Sequence, residues 1–114
     1  MSQKGFFPRR GDVILIDLDP VKGHEQGGRR PAVVLSADQY NRIVGLAVVV
    51  PITTKPKGYP FEVKIPQGSR VKGTILADHI KCIDWQVRNA DLFDSLPYEV
   101  LQEIEDKLGP LIFP

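Results

Sequence analysis

At 114 residues, 42% hydrophobic and 25% charged, the chain is long enough for one domain spanning 1–114 with a packed core and too short for two. Its single cysteine, Cys82, excludes an intrachain disulfide and cannot supply the several soft ligands of a thiolate zinc site. The formal net charge of +1 hides a split: residues 1–72 carry 12 Lys or Arg against 6 Asp or Glu, residues 73–114 carry 3 against 8, so a basic region suited to a polyanion precedes an acidic one, unless the charges simply mix on a solvated surface.

In chain order, the N-terminal segment lacks the apolar core of a signal peptide, and no apolar run approaches the roughly 20 residues of a membrane span. A cytoplasmic protein, neither exported nor inserted in a membrane, is expected. Asp12 to Asp19 is rich in β-branched residues and Leu, reads as a first strand, and breaks at Asp19-Pro20. Residues 20–30 hold three glycines and almost nothing apolar, a long exposed loop. Pro31 cannot donate to a ladder and belongs at the start of a second strand, Ala32 to Ser36. Ile43 to Ile52, nearly all aliphatic, predicts a buried central strand interrupted by Gly45, with Pro51 at a frayed end or bulge.

The basic, turn-rich stretch Lys55 to Pro60 precedes Phe61 to Ile65, whose alternation predicts a half-exposed strand. Thr74 to Asp84 predicts one long strand or two short ones with a face open to solvent or ligand. Helical spacing occurs only near the end, where Ser95 could cap, Pro97 sits in the first turn, Val100, Leu101, Ile104 and Leu108 repeat, and Gly109-Pro110 stops the helix. Five or six short strands without intervening helices predict a mainly β fold, an antiparallel sheet curled into a small barrel with one C-terminal α-helix against it.

Chemistry concentrates in the loop Lys22 to Arg30 (KGHEQGGRR), where glycines allow close backbone approach and Arg offers a planar fork matched to phosphate oxygens. A mobile polar hairpin with solvated charges would read the same way. Two hydroxyls, Thr53 and Thr54, leave the central strand beside Lys55 and Lys57, where they can reach a phosphate or merely satisfy backbone groups. His24 and His79 are candidate acid or base groups, and no spacing of His, Asp and Glu suggests a metal site, so neither metal nor cofactor is expected. Trp85 and Phe93 read as core, while Tyr59 in the basic turn is the better base-stacking candidate.

Three stretches, GDVILIDLDPVKGHEQGGRRPAVVLS, VVPITTKPKGYPFEV and LADHIKCIDW, resemble the MazF/PemK (Kid) family of toxin endoribonucleases in order, spacing and chemistry over nearly the whole chain. The resemblance implies an SH3-like barrel of the kind shared with the gyrase poison CcdB, a homodimer, and metal-independent cleavage of single-stranded mRNA at short sequences. It assigns catalysis to Arg30 and Thr53, with Glu25 as acid/base. It places His24, Gln26, Arg29, Asp78 and His79 along the RNA, with Lys55 and Lys57 on backbone phosphates. It further implies a MazE-like antitoxin with an acidic segment laid across the basic groove, and contact with DNA only indirectly through an antitoxin complex. Two other classes share the fold: a CcdB-like gyrase poison without chemistry, disfavoured because the chain ends Leu111-Ile112-Phe113-Pro114 instead of in a Trp-bearing tail, and a repressor or binding module that has lost catalysis.

Overall fold

The structure is a computed structural model, and it describes residues 5–17 and 28–114. Within them lie β1 (Asp12–Asp17), β2 (Arg29–Val34), α1 (Asp38–Val44), β3 (Leu46–Thr53), β4 (Glu62–Lys64), β5 (Thr74–Leu76), β6 (Lys81–Asp84), β7 (Asp91–Ser95) and α2 (Tyr98–Ile112). Every strand pairing is antiparallel, in the order β4-β5-β3-β2-β1-β7, with β6 added to β3. The mainly β plan with a C-terminal helix is as expected, and among the described residues the edge strands β4 and β7 do not pair, so the barrel-like sheet is not closed.

The aliphatic runs of β1, β2 and β3 follow from burial on both faces of the sheet. Val13, Val33, Val50 and Ile52 join one core cluster with Val63, Ile75 and the α2 residues Val100, Leu101 and Ile104. Their chain neighbours Ile14, Ala32, Val34 and Val49 join a second cluster on the opposite face, with Ile83, Trp85, Phe6 and Phe7. Successive strand residues alternate between faces, so a strand covered on both sides needs apolar residues at every position. Phe93, expected in the core, packs against its border with the Arg70 guanidinium 4.5 Å from the ring centroid.

Three expectations require correction. Ile43 and Val44 do not begin the central strand; they end α1, which Gly45 closes at φ 84 by donating its N–H to the Asn41 carbonyl. That helix has no apolar stripe. Its anchor is the buried side chain of Asn41, whose amide donates to Pro8 O (2.9 Å) and Ser36 O (3.2 Å) and accepts from the Ser36 hydroxyl, while Trp85 Nε1 donates to the Asn41 carbonyl at 2.9 Å. Ser95 is not a helix cap: it ends β7, a strand not foreseen, and Pro97 occupies the N-cap of α2. Nor does Gly109-Pro110 stop α2, which runs to Ile112. So near the C-terminus, the donor that Pro110 lacks costs only one of the last helical hydrogen bonds. The segment 74–84 resolves into the two short strands β5 and β6.

Two prolines govern the ends of the central ladder. The β2–β3 pairing consists of Val34↔Val49, Val33↔Val50 and Ala32↔Pro51, and there it stops. Beyond Pro51, β3 takes β5 as partner through Ile52↔Ile75 and Thr53↔Thr74. Pro31 and Pro51 lack N–H donors, so the two strands part where neither side could extend the ladder normally.

Candidate active site

The parting of β2 from β3 makes the site. Continued two residues past its last pair, the register of these strands sets Arg30 against Thr53. Both residues line one open cavity of about 330 Å³, together with Arg29, Pro31, Ile52, Thr54 and Lys55. β2 begins at Arg29, so the two arginines are strand residues, not the tail of a loop as the sequence suggested.

Adjacent on a strand, the two arginines face opposite ways. Arg29 lies directly across from Asp17, donates to its Oδ1 at 2.7 Å and to Asp91 Oδ2 at 2.8 Å, and also reaches the carbonyls of Asn89 and Leu15. The Asn89 amide donates to the other Asp17 oxygen at 2.8 Å, and these bonds, Asn89 first and Arg29 second, hold the Asp17 carboxyl below its ordinary 3.8. Arg29 therefore joins β1, β2 and β7, and it also lines the cavity that holds Arg30 and Thr53. Arg30 is exposed, opposite Ile16, and among the described residues its guanidinium has no ion-pair or hydrogen-bond partner.

Thr53 is held from two directions. Its Oγ1 accepts the Lys55 backbone N–H at 3.0 Å, which fixes the hydroxyl and leaves its own proton available to a ligand oxygen. Behind it, Gly73 sits at φ +128, where a Cβ would lie 2.6 Å from the Thr53 carbonyl oxygen and 2.9 Å from Ile52 Cγ2. Only glycine permits this approach of the chain preceding β5 to the end of β3.

Two more cavities continue the site. One of about 460 Å³ shares Arg30, Pro31 and Ile52 with the first and is rimmed by Lys81 and Arg88. The other, about 420 Å³, shares Thr53 and Lys55 and adds Lys57, Tyr59, Asp78 and His79. Lys55 and Lys57 are exposed on a turn whose shape Glu62 sets, its carboxylate accepting the Lys57 and Gly58 N–H groups at 2.7 and 3.0 Å. Asp78 accepts the Tyr59 hydroxyl at 2.6 Å, and His79 Nε2 lies 3.3 Å from the same oxygen. Among the described residues, the two carboxylates bordering the groove, Glu62 and Asp78, are engaged in holding its walls, while Arg30, Lys55 and Lys57 line it with positive charge. Such a trough, basic, open and lined by a hydroxyl, suits a phosphodiester strand.

Of the residues singled out in the sequence, Arg30, Thr53, Lys55, Lys57, Asp78 and His79 meet along this groove, and Arg29 lines its edge while its guanidinium is held by Asp17 and Asp91. His24, Glu25 and Gln26 lie outside the described residues. Sequence reading gave no role to Gly73, Glu62, Lys81 or Arg88. Gly73 had the weakest signal, since only the fold reveals what its missing side chain makes room for.

A small antiparallel sheet with a C-terminal helix and a basic, hydroxyl-lined groove defines the class as a compact β-protein with an open cationic trough. Residues 9–112 match the model of the PemK-like, MazF-like toxin of type II toxin–antitoxin systems, and the chain belongs to this family. It is 47% identical to the endoribonuclease toxin MazF of Escherichia coli K12 over 107 residues, covering 94% of this chain and 96% of that one. To endoribonuclease EndoA of Bacillus subtilis it is 36% identical, with 88% and 90% covered. Among solved structures, MazF in a MazE–MazF complex from Deinococcus radiodurans superposes with a TM-score of 0.89 at 45% identity, covering 94% of this chain and 96% of that one.

Proposed function

We propose that the chain is a sequence-specific, metal-independent endoribonuclease toxin that cuts single-stranded mRNA in the cytoplasm and is neutralised by a MazE-like antitoxin. The observation that carries this is the placing of Arg30 and Thr53 across one open cavity, at the point where β2 and β3 separate. The RNA 2′-hydroxyl attacks the neighbouring phosphorus, the 5′-oxygen leaves, and the products are a 2′,3′-cyclic phosphate and a 5′-hydroxyl. Because the nucleophile belongs to the substrate, DNA is spared. Arg30 neutralises charge that builds on the phosphate oxygens, Thr53 hydrogen-bonds one of them or the departing oxygen through its hydroxyl, and the 5′-oxygen takes its proton from water. Glu25 takes the 2′-hydroxyl proton, a role that rests on the family resemblance alone. Lys55 and Lys57 hold flanking phosphates, and His24, Gln26, Asp78 and His79 contact the bases.

The family likeness supports a homodimer, as do the exposed apolar side chains Ile43, Val44, Leu111 and Phe113. A MazE-like antitoxin is supported by the MazE–MazF complex at 45% identity, and an acidic peptide would suit the cations of the groove. Incubation with a long RNA in EDTA tests the reading. Wild-type protein should cut it into fragments with 5′-hydroxyl ends, and Arg30→Ala should fold normally yet cut about 10²-fold more slowly or worse. Cleavage abolished by EDTA, or a fully active Arg30→Ala, would overturn the mechanism. Intact RNA together with gyrase inhibition would favour the CcdB-like reading instead.

A further inference from the structure

Beyond Thr53 and Lys55, the groove ends at a hydrogen-bonded set of three side chains on the wall of the cavity of about 420 Å³. The Tyr59 ring, half-buried and tilted at 54° against Phe61, presents its hydroxyl to Asp78 Oδ1 at 2.6 Å and to His79 Nε2 at 3.3 Å. A phenol has one proton to give. With that hydrogen directed at Asp78, the phenol oxygen is left to accept from His79 Nε2–H, the tautomer in which Nδ1 keeps the lone pair. The bond to Asp78, with burial adding to it, pushes the Tyr59 hydroxyl up to about 12, which keeps it a donor at any working pH. What the set has left for a ligand is therefore acceptor capacity: the second oxygen of Asp78 and Nδ1 of His79.

We propose that Tyr59 is a positioning residue that fixes Asp78 and His79 as a pair of acceptors, and that the cavity they line takes an RNA base bearing an exocyclic amine in preference to uracil. This inference rests on the proposed cleavage of RNA and names what its groove reads. The amino groups of adenine, guanine and cytosine donate to a carboxylate oxygen, whereas uracil flanks its single ring N–H with two carbonyl oxygens that would face an anionic acceptor. Thr53 lines the same cavity, so the base read belongs to a nucleotide next to the scissile phosphate. Lys55 and Lys57 hold the phosphate side of that nucleotide. The other charged group of the cavity, Glu62, has its oxygens on the turn amides and does not compete for the base.

Tyr59→Phe removes the hydroxyl and keeps the ring, and Asp78→Asn replaces an acceptor by a group that also donates. Each protein is given an RNA pool randomised around the cleavage position, and fragment ends are sequenced to obtain relative kcat/KM for every neighbouring base. Wild type should prefer the three amino bases over uracil at one position beside the cut. In Tyr59→Phe that preference should shrink about tenfold with the melting temperature unchanged, and Asp78→Asn should move further toward uracil. An unaltered base profile in both variants, or an equal loss at all sites, would overturn the positioning role. A wild type that cuts RNA but tolerates uracil there equally would overturn the inference and leave the proposed function standing. A wild type that leaves all RNA intact would overturn the proposed function itself.

Discussion

Arg29 and Arg30 differ only in which way a strand turns them, and the difference separates architecture from chemistry. Removing the Arg29 side chain leaves Asp17, Asp91 and the Asn89 carbonyl without their common donor, so Arg29→Ala should lower stability by about 1–2 kcal/mol in denaturant unfolding. Its pH dependence provides an independent check. Asp17 has a folded pKa below the ordinary 3.8, so its contribution is present above that value and is lost as pH falls through the lower, folded one. Wild-type stability should thus decline with acidification below about pH 4. In Arg29→Ala the decline should be smaller, since only the Asn89 bond still favours the charged form. An identical acid profile for the two proteins would show that the Arg29 network does not hold Asp17. Arg30→Ala, by contrast, should leave both stability and its acid profile as they are.

At the scale of elements, the site depends on where β3 changes partners. Pro31 and Pro51 end the β2–β3 ladder, β5 takes over at Ile52 and Thr53, and Gly73 lets the chain entering β5 pass against the Thr53 carbonyl. A methyl group at Gly73 would collide with backbone, which cannot swing aside as a side-chain tip can. The residue would also be strained at φ +128. Gly73→Ala should cost about 1–3 kcal/mol and, by displacing Thr53, slow RNA cleavage by more than the lost stability accounts for. Equal activity per folded molecule would show that Thr53 does not need this support. The strands themselves were legible because burial on both faces writes long aliphatic runs into β1, β2 and β3. α1 was not, because a polar residue, Asn41, anchors it and two aliphatic residues at its end imitate the start of a strand. β7 was missed for a related reason: in Asp91-Leu92-Phe93-Asp94-Ser95 only Leu92 and Phe93 are apolar, and they are neighbours, not alternating positions.

For the molecule as a whole, the uneven distribution of charge along the sequence becomes a groove in space. Arg30, Lys55 and Lys57 come from two stretches of chain, while much of the acidic C-terminal third lies on α2, where Glu105 pairs with Arg10 and Lys107 donates to the Pro60 carbonyl at 2.8 Å. If these three cations each meet a phosphate, RNA affinity should fall with salt at a log–log slope of about −2, as expected for a single strand releasing counterions. Measurement of Kd against salt for a catalytically slow protein, with Lys55→Ala and Lys57→Ala for comparison, checks this. Each replacement should flatten the slope by roughly 0.7. A slope unaffected by either would place the phosphate path elsewhere on the surface.

Sequence alone was enough for the strand-rich plan, the C-terminal helix, the basic character of the first 72 residues and the residue types fit for phosphate chemistry. These are properties of local composition and period, which a linear reading preserves. Tertiary structure alone decided that, of two consecutive arginines, Arg29 is held by Asp17 and Asp91, that Arg30 and Thr53 line one cavity, that β4 and β7 do not pair among the described residues, and that a glycine twenty residues away supports the threonine. Each depends on pairing between distant segments, and a shift of one residue in that pairing would reverse the faces and dissolve the site.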